Sequence, residues 1–276
     1  MTDQQTLTLN NGVLMPQLGF GVWQVPNDEA TTAVAAALEV GYRAIDTAAM
    51  YRNEKGVGQA IAESGLARDE LFITTKLDND AHGPQAPLAA FEESRQNLGL
   101  EYVDLYLIHW PLPAKDQYVQ TWQALEKLLG DGVVRAIGVS NFHQNHLQRL
   151  SEGSDTVPAV NQIELHPYLT QQSLHEYDAT RGITTEAWSP LASGGAVLTD
   201  PVITSLADKY GRTAAQVILR WHLQLGNLVI PKSVTPARIL ENFQVFDFDL
   251  DVEDVVAISG LNRDERTGPN PDTFNP

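Results

Sequence analysis

Side chains suited to acid–base catalysis lie at the ends of apolar runs or just after them: Asp46, Tyr51, Lys76 and His109. A lysine ammonium beside a tyrosine hydroxyl favours the phenolate, so we expect Lys76 to lower the pKa of Tyr51 towards neutrality. Asp46 would keep Lys76 charged and oriented. Tyr51 is then a candidate general acid for a carbonyl oxygen that gains electrons, and His109 a candidate hydrogen-bond donor to that oxygen.

This set of side chains contains no source of electrons. It could stabilise an alkoxide, but a hydride must come from elsewhere, and we expect a nicotinamide cofactor. The chain has no cysteine, which excludes cysteine nucleophiles and cysteine-ligated zinc. His143 and His146 are three residues apart, a spacing that metals use, but no third ligand is evident. We therefore assign both histidines to the surface and expect no metal.

A candidate phosphate site follows the last apolar run, in the segment IPKSVTPAR (Ile230–Arg238). Lys232 lies where a strand should end, and Thr235 is placed to cap a helix that Pro236 begins. Arg238 would oppose the dipole of that helix unless an anion binds there. Lysine, arginine and a helix N-terminus together suit a phosphate.

Polar groups that could read a nicotinamide ring occur at three further strand ends. Ser140, Asn141 and Gln162 carry hydroxyl and amide groups suited to its carboxamide. Trp188 offers a flat face on which the ring could stack. We expect these residues to lie around one bound cofactor.

The elements that must position these residues alternate between strand and helix. Thr6–Leu9 and Val13–Met15 flank Asn10-Asn11-Gly12, which predicts a β-hairpin. Eight predicted strands follow, each succeeded by a helical pattern: Leu18–Val22, Arg43–Thr47, Leu71–Lys76, Val103–Trp110, Val133–Ser140, Ala159–Glu164, Ile183–Ala187 and Leu228–Pro231. Eight such units in about 250 residues indicate the α/β class and a closed (β/α)8 TIM barrel, with a doubly wound open sheet as the alternative. In a barrel the carboxyl ends of the strands meet at one face, so the polar residues would converge there.

Composition and net charge limit the classes of partner that the protein can have. The chain has 276 residues, 18 of them basic and 35 acidic, and its formal net charge is −17. That charge argues against nucleic acid or an anionic membrane as partner. No apolar run approaches the roughly 20 residues that cross a bilayer, and the polar N-terminus lacks the layout of a signal peptide. We therefore expect a cytoplasmic protein. No exposed apolar stripe is evident in the sequence, so a monomer is the default, and we expect residues 1–276 to form one domain with an irregular tail over residues 263–276.

Three segments resemble the signature motifs of the aldo-keto reductases: GYRAIDTAAMYRNEKGVG (Gly41–Gly58), FEESRQNLGLEYVDLYLIHWP (Phe91–Pro111) and IPKSVTPARILENFQVF (Ile230–Phe246). The resemblance covers essentially the whole chain and is greatest to the bacterial 2,5-diketo-D-gluconate reductases. It implies an NADPH-dependent carbonyl reductase on a (β/α)8 barrel, with the cofactor extended across the C-terminal face.

The resemblance also implies roles for individual residues. Asp46, Tyr51, Lys76 and His109 match the catalytic tetrad, with Tyr51 as the proton donor. The cofactor-binding positions match Ser140, Asn141 and Gln162 at the carboxamide, Trp188 at the stacking position, Ser189 and Leu191 beside the pyrophosphate, Lys232, Ser233, Val234 and Arg238 at the 2′-phosphate, and Glu241 and Asn242 at the adenine. The substrate-pocket wall matches Trp23, Tyr51, His109 and Trp110.

The chain departs from the family pattern in three places. Asp78 occupies a position where many relatives carry tryptophan, so a carboxylate replaces an aromatic wall and disfavours a gluconate-like anion as substrate. The loop Ser189–Thr199 is short and rich in small residues, which predicts loose clamping of the cofactor. The short connection Pro111–Lys115 predicts an open pocket.

Three functions remain open on the sequence alone. The first is NADPH-dependent reduction of small-molecule aldehydes, ketones or keto-sugars. The second is a non-catalytic, NADPH-binding regulatory barrel, against which the intact set of Tyr51 and Lys76 argues. The third is a metal-dependent barrel hydrolase, for which the clustered histidine and aspartate ligands are missing.

Overall fold

The computed structural model describes residues 5–276. Residues 1–4, which the sequence-based interpretation includes in the polar N-terminus and in the domain, lie outside the described residues. The strands are β1 (Thr6–Thr8), β2 (Leu14–Pro16), β3 (Gly19–Gly21), β4 (Ala44–Asp46), β5 (Phe72–Leu77), β6 (Val103–Ile108), β7 (Val134–Ser140), β8 (Val160–Glu164), β9 (Thr184–Trp188) and β10 (Leu228–Val229). The helices are α1 (Asn27–Val40), α2 (Glu54–Glu63), α3 (Ala86–Leu98), α4 (Tyr118–Gly130), α5 (Gln144–Gly153), α6 (Gln172–Thr180), α7 (Pro201–Tyr210), α8 (Ala214–Gln224), α9 (Pro236–Phe243) and α10 (Val252–Ser259).

Strands β3 to β10 pair in chain order as one parallel sheet. Its two edge strands approach each other, since Leu18 bridges to Val229 and the Gly21 N–H donates to the carbonyl of Pro231 at 3.1 Å. Most residues of these strands are buried, as expected when helices cover the outside and side chains fill the inside. The predicted (β/α)8 TIM barrel is therefore confirmed, in nearly closed form, and the open sheet is wrong.

The N-terminal hairpin covers one end of the barrel. Its strands β1 and β2 pair antiparallel, as predicted. Leu9 and Met15 join a buried apolar cluster with Leu107 from the barrel interior. The Asn11 amide donates to the carbonyl of Arg135, near the start of β7, at 2.9 Å. The hairpin thus closes the amino ends of the strands and leaves the carboxyl ends available for a site.

The sequence-based prediction does not include helix α10, although Asp251 at its N-cap position and Glu253 and Asp254 in its first turn are local signals of a helix start. After Ser259 the described chain forms turns and irregular backbone as far as Pro276, which agrees with the predicted irregular tail. None of the helices within residues 5–276 combines the length and the apolar character needed to cross a membrane.

Candidate active site

Side chains from three consecutive barrel strands converge at the C-terminal face. Asp46 ends β4, Lys76 is the penultimate residue of β5, and His109 directly follows β6. Tyr51 ends a short 3₁₀ turn after β4. Because parallel strands carry their carboxyl ends to the same edge, the fold brings these four residues together.

The Lys76 ammonium is at the centre of this group. Its Nζ donates to Asp46 Oδ1 at 2.5 Å, to the Thr47 carbonyl at 3.0 Å and to the Tyr51 hydroxyl at 3.4 Å. Lys76 and Asp46 are both buried, and buried charges are stable only when they are paired and hydrogen-bonded. The rings of Tyr51 and His109 meet edge to face, with centroids 5.6 Å apart.

The environment changes the proton affinity of three of these groups. Burial raises the pKa of the Tyr51 hydroxyl, and the Lys76 ammonium opposes this rise without cancelling it. The expected lowering of that pKa is therefore wrong, and the phenol keeps its proton at neutral pH. Burial acts to lower the pKa of Lys76, but the Asp46 carboxylate beside it leaves the pKa raised. Burial, reinforced by Lys76, holds the pKa of His109 well below its usual value, so the imidazole is neutral.

Gln162 connects this group to the far side of the barrel. Its amide nitrogen donates to Asp46 Oδ2 and to Glu186 Oε2, each at 2.8 Å. Sequence reasoning missed Glu186, although an acid two residues before Trp188 in a buried strand was a signal that could have been followed. Burial, reinforced by the charge of Asp46, raises the pKa of Glu186 to about 8.

Ser140, Asn141 and Trp188 form a second chain of hydrogen bonds at the same end of the barrel. The Asn141 amide nitrogen donates to the His109 carbonyl at 2.9 Å and to Ser140 Oγ at 3.0 Å. The indole N–H of Trp188 donates to Asn141 Oδ1 at 2.8 Å, which fixes the plane of the indole. Asn141 has a positive φ of 64°, a conformation unusual for a residue other than glycine and frequent at functional sites.

The predicted phosphate-binding residues lie on the turn before α9 and in its first helical turn, where Arg238 is located. Lys232, Val234 and Arg238 are exposed, whereas Ser233 is buried. Thr235 holds the N-cap position, but its side chain makes no capping hydrogen bond. The predicted Thr235 cap is therefore wrong, and Ser233 Oγ instead accepts from the Thr235 N–H at 3.1 Å. Two exposed cations thus flank a helix N-terminus.

The remaining candidate cofactor residues lie in two places: Ser189 and Leu191 are in the loop after β9, and Glu241 and Asn242 are in α9. Ser189 has a positive φ of 46°, and Leu191 packs against the core. Glu241 accepts from the Thr213 hydroxyl at 2.9 Å, and Asn242 is buried. The loop after β9 contains two short 3₁₀ turns.

The C-terminal tail folds over the site, which the sequence did not indicate. The Phe274 ring lies 4.3 Å from Trp110, centroid to centroid. Gly268 approaches Trp188 so closely that an added Cβ would lie 2.5 Å from the indole. Its N–H donates to Glu164, at the end of β8, at 3.1 Å. The tail therefore contacts both tryptophans of the C-terminal face.

His143 and His146 hold this tail against α5. Asp272 Oδ2 lies 2.9 Å from His143 Nδ1, and Asp272 Oδ1 lies 3.4 Å from His146 Nε2. Only 2% of His146 is exposed, so its assignment to the surface is wrong. Within the described range no group of three or more His, Asp or Glu side chains is arranged to hold a metal ion.

The rim of the face is partly polar. Asp78 pairs with Arg52 at 3.3 Å, and the Arg52 side chain is 78% exposed. Trp23 is 48% exposed. In the connection after β6, the Ala114 N–H donates to Asn275 of the tail at 2.8 Å. The Asp78 carboxylate is therefore paired with a solvent-facing arginine, which offsets part of its charge.

Comparison with known proteins agrees with this fold. The family model for the aldo/keto reductase family matches residues 17–263. Methylglyoxal reductase DkgA of Yersinia pestis is 56% identical over 276 residues, covering 99% of each chain. An aldo-keto reductase of Mycolicibacterium smegmatis is 55% identical over 269 residues, covering 98% of each chain. The crystal structure of a point mutant of Gox0644 in complex with NADPH is 48% identical, covers 98% of each chain and has a TM-score of 0.94. The chain belongs to the aldo/keto reductase family.

Proposed function

We propose that the chain is an NADPH-dependent reductase of small, uncharged aldehydes and ketones, dicarbonyls above all, with Tyr51 as proton donor. One observation carries the assignment: the Lys76 ammonium lies 2.5 Å from Asp46 and 3.4 Å from the Tyr51 hydroxyl at the C-terminal face of the barrel. The reductase class and the NADP(H) cofactor follow from membership of the family and from the relative crystallised with NADPH. We therefore prefer the reductase to the two alternatives, the non-catalytic regulatory barrel and the metal-dependent hydrolase.

The side chains around the site fit a nicotinamide dinucleotide phosphate. Both amide hydrogens of Gln162 are donated to side-chain oxygens of Asp46 and Glu186, so its Oε1 is left as an acceptor for a carboxamide NH₂. Trp188 is held in place by Asn141 and presents an aromatic ring for stacking. Lys232 and Arg238 place two cations at the start of α9, where a 2′-phosphate would bind. The bound nicotinamide supplies the hydride.

The chain's own residues supply the proton and hold the carbonyl. Tyr51 keeps its proton at neutral pH because burial raises its pKa, so it can donate that proton to the oxygen that gains charge. Lys76, kept charged by Asp46, stabilises the phenolate left behind. His109 is neutral and can donate one hydrogen bond to the carbonyl oxygen, which orients the substrate.

The substrate class is inferred from the rim of the site. Asp78 places a carboxylate near the rim, which disfavours a negatively charged substrate, and the exposed Arg52 at 3.3 Å offsets only part of that charge. Trp23 offers exposed aromatic surface to a small molecule, whereas Trp110 is buried against Phe274 of the tail. Relatives such as the Yersinia pestis protein bear the name methylglyoxal reductase. We therefore infer a short neutral dicarbonyl, such as methylglyoxal, in preference to a sugar acid.

Steady-state kinetics test this proposal. Initial rates of NADPH oxidation would be measured with methylglyoxal, with 2,5-diketogluconate and with simple aldehydes. We expect the highest kcat/KM with methylglyoxal. A higher kcat/KM with the sugar acid would overturn the substrate assignment, and no turnover of any carbonyl would overturn the reductase assignment.

Arg238→Ala tests the 2′-phosphate site. Loss of a charge-assisted hydrogen bond should raise the Kd for NADPH about 10- to 100-fold and leave the Kd for NADH nearly unchanged. Both constants follow from quenching of tryptophan fluorescence. Arg95→Ala, on the surface of α3, is the matched control and should change neither constant. Equal losses for both nucleotides would contradict the assignment of Arg238.

We further propose that the protein acts as a cytoplasmic monomer and one domain over residues 1–276, without nucleic acid or membrane partners. The net charge of −17 supports the absence of polyanionic partners. Sedimentation at several protein concentrations would test the monomer, and a dimer at low concentration would contradict it.

A further inference from the structure

Glu186 is a buried carboxyl group beside the site, and the proposed reaction gives it no contact with the reacting atoms. It lies on β9, directly opposite Gln162 of β8 in the parallel register. Its exposed fraction is 0%, and its Oε1 has no hydrogen-bond partner within residues 5–276. A buried polar atom without a partner is destabilising, so a functional reason for retaining this acid is expected.

The geometry points to control of Gln162. The Gln162 amide nitrogen lies 2.8 Å from Asp46 Oδ2 and 2.8 Å from Glu186 Oε2. Asp46 is 116 residues away along the chain and reaches Gln162 across the barrel interior. An NH₂ group has two hydrogens in one plane, and two acceptors on opposite sides fix that plane. With either acceptor missing, the amide could rotate about its last single bond.

We propose that Glu186 is a positioning residue for the nicotinamide. By accepting one hydrogen of the Gln162 amide while Asp46 accepts the other, it aims Gln162 Oε1 at the carboxamide NH₂ of the cofactor. This inference rests on the proposed function, because it requires the nicotinamide to lie beside Gln162. It also links the cofactor site to Lys76 through Asp46.

Glu186→Met removes the acceptor and keeps the length of the side chain. We expect the Kd for NADPH to rise about three- to tenfold, which is the net contribution of one hydrogen bond. Glu186→Gln retains an oxygen that can accept from Gln162, so it should bind NADPH within about twofold of the unmodified protein. Burial raises the pKa of Glu186 to about 8, so its carboxyl is protonated at neutral pH and glutamine is a close substitute.

The 3-acetylpyridine analogue of NADPH separates positioning from a structural role. Its methyl ketone replaces the carboxamide and has no N–H for Gln162 to accept. Fluorescence titration would give the Kd of NADPH and of the analogue for the unmodified protein, Glu186→Met and Glu186→Gln. We expect Glu186→Met to weaken NADPH only, so that the NADPH preference over the analogue shrinks by the same three- to tenfold. An equal loss for both ligands, or no loss for either, would overturn the inference.

Two further measurements keep the result decisive. Failure of the unmodified protein to bind NADPH would refute the proposed function, whereas normal binding with no effect of Glu186→Met would refute only the role of Glu186. If Glu186→Met does not fold, Glu186→Asp can be used instead. The shorter side chain moves the carboxyl group away from Gln162 by one methylene, and the Kd values of NADPH and the analogue are compared as before. An unchanged preference for NADPH in a folded Glu186→Asp protein would then overturn the inference.

Discussion

Tyr51→Phe should lower kcat for carbonyl reduction by about 10²- to 10⁴-fold, the usual contribution of a positioned general acid. The phenyl ring keeps its edge-to-face packing on His109, and only the hydroxyl that Lys76 contacts at 3.4 Å is lost. Binding of NADPH should therefore change by less than about threefold. Steady-state rates at saturating NADPH and saturating carbonyl substrate give kcat, and fluorescence titration gives the Kd.

Tyr106→Phe is the matched control for this substitution. Tyr106 is also a buried barrel tyrosine, on β6, but its hydroxyl has no hydrogen-bond partner in the described chain and lies outside the proposed machinery. Its removal should leave kcat unchanged. A Tyr51→Phe protein that reduced carbonyls at the unmodified rate would show that the proton comes from another group.

Lys76→Met should abolish most turnover and also destabilise the fold by about 3–5 kcal/mol. The substitution leaves the Asp46 carboxylate buried without its cation at 2.5 Å. The phenolate of Tyr51 also loses the ammonium that stabilises it, so we expect kcat to fall by at least about 10²-fold. Urea unfolding at neutral pH measures the loss of stability, and NADPH oxidation measures the loss of rate.

The double variant Asp46→Asn with Lys76→Met separates the two effects. Removing both charges should restore most of the free energy of unfolding, because no unpaired buried charge is left, while activity stays low. Arg149→Met is the control, since the Arg149–Asp116 pair is about half exposed on both sides. We expect it to cost less than about 1 kcal/mol. A Lys76→Met protein as stable as this control would contradict the pairing of Lys76 with Asp46.

Much of the fold could be read from the chain because local rules agreed with tertiary requirements. Apolar runs such as Val103–Ile108 are buried on both faces, and the glycines after α1 and α3 end those helices. The polar residues Asp46, Lys76 and His109 were conspicuous because each interrupts or ends such a run. Parallel pairing in chain order then places them at one face without further assumptions.

Other features depend on contacts between distant parts of the chain. Gln162 meets Asp46 across the barrel, and the tail sets Phe274 against Trp110 and Gly268 against Trp188. No local pattern specifies such contacts. Side chains on separate strands, and those of the irregular tail, come into contact only when the chain is folded. The burial of His146 was missed for the same reason, because Asp272 of the tail lies against it.

Periodicity and residue type are local properties, so the chain alone predicts the hairpin, the succession of strand–helix units and the set of candidate residues. Closure of the sheet into a barrel, the proton affinities and the hydrogen-bond network depend on contacts that form only in the folded molecule. The pKa of Tyr51 is the difference between burial, which raises it, and Lys76, which lowers it, and the sequence reveals the second effect but not the first. The connection from Lys76 through Asp46 and Gln162 to Glu186 likewise exists only once β4, β5, β8 and β9 enclose a common interior.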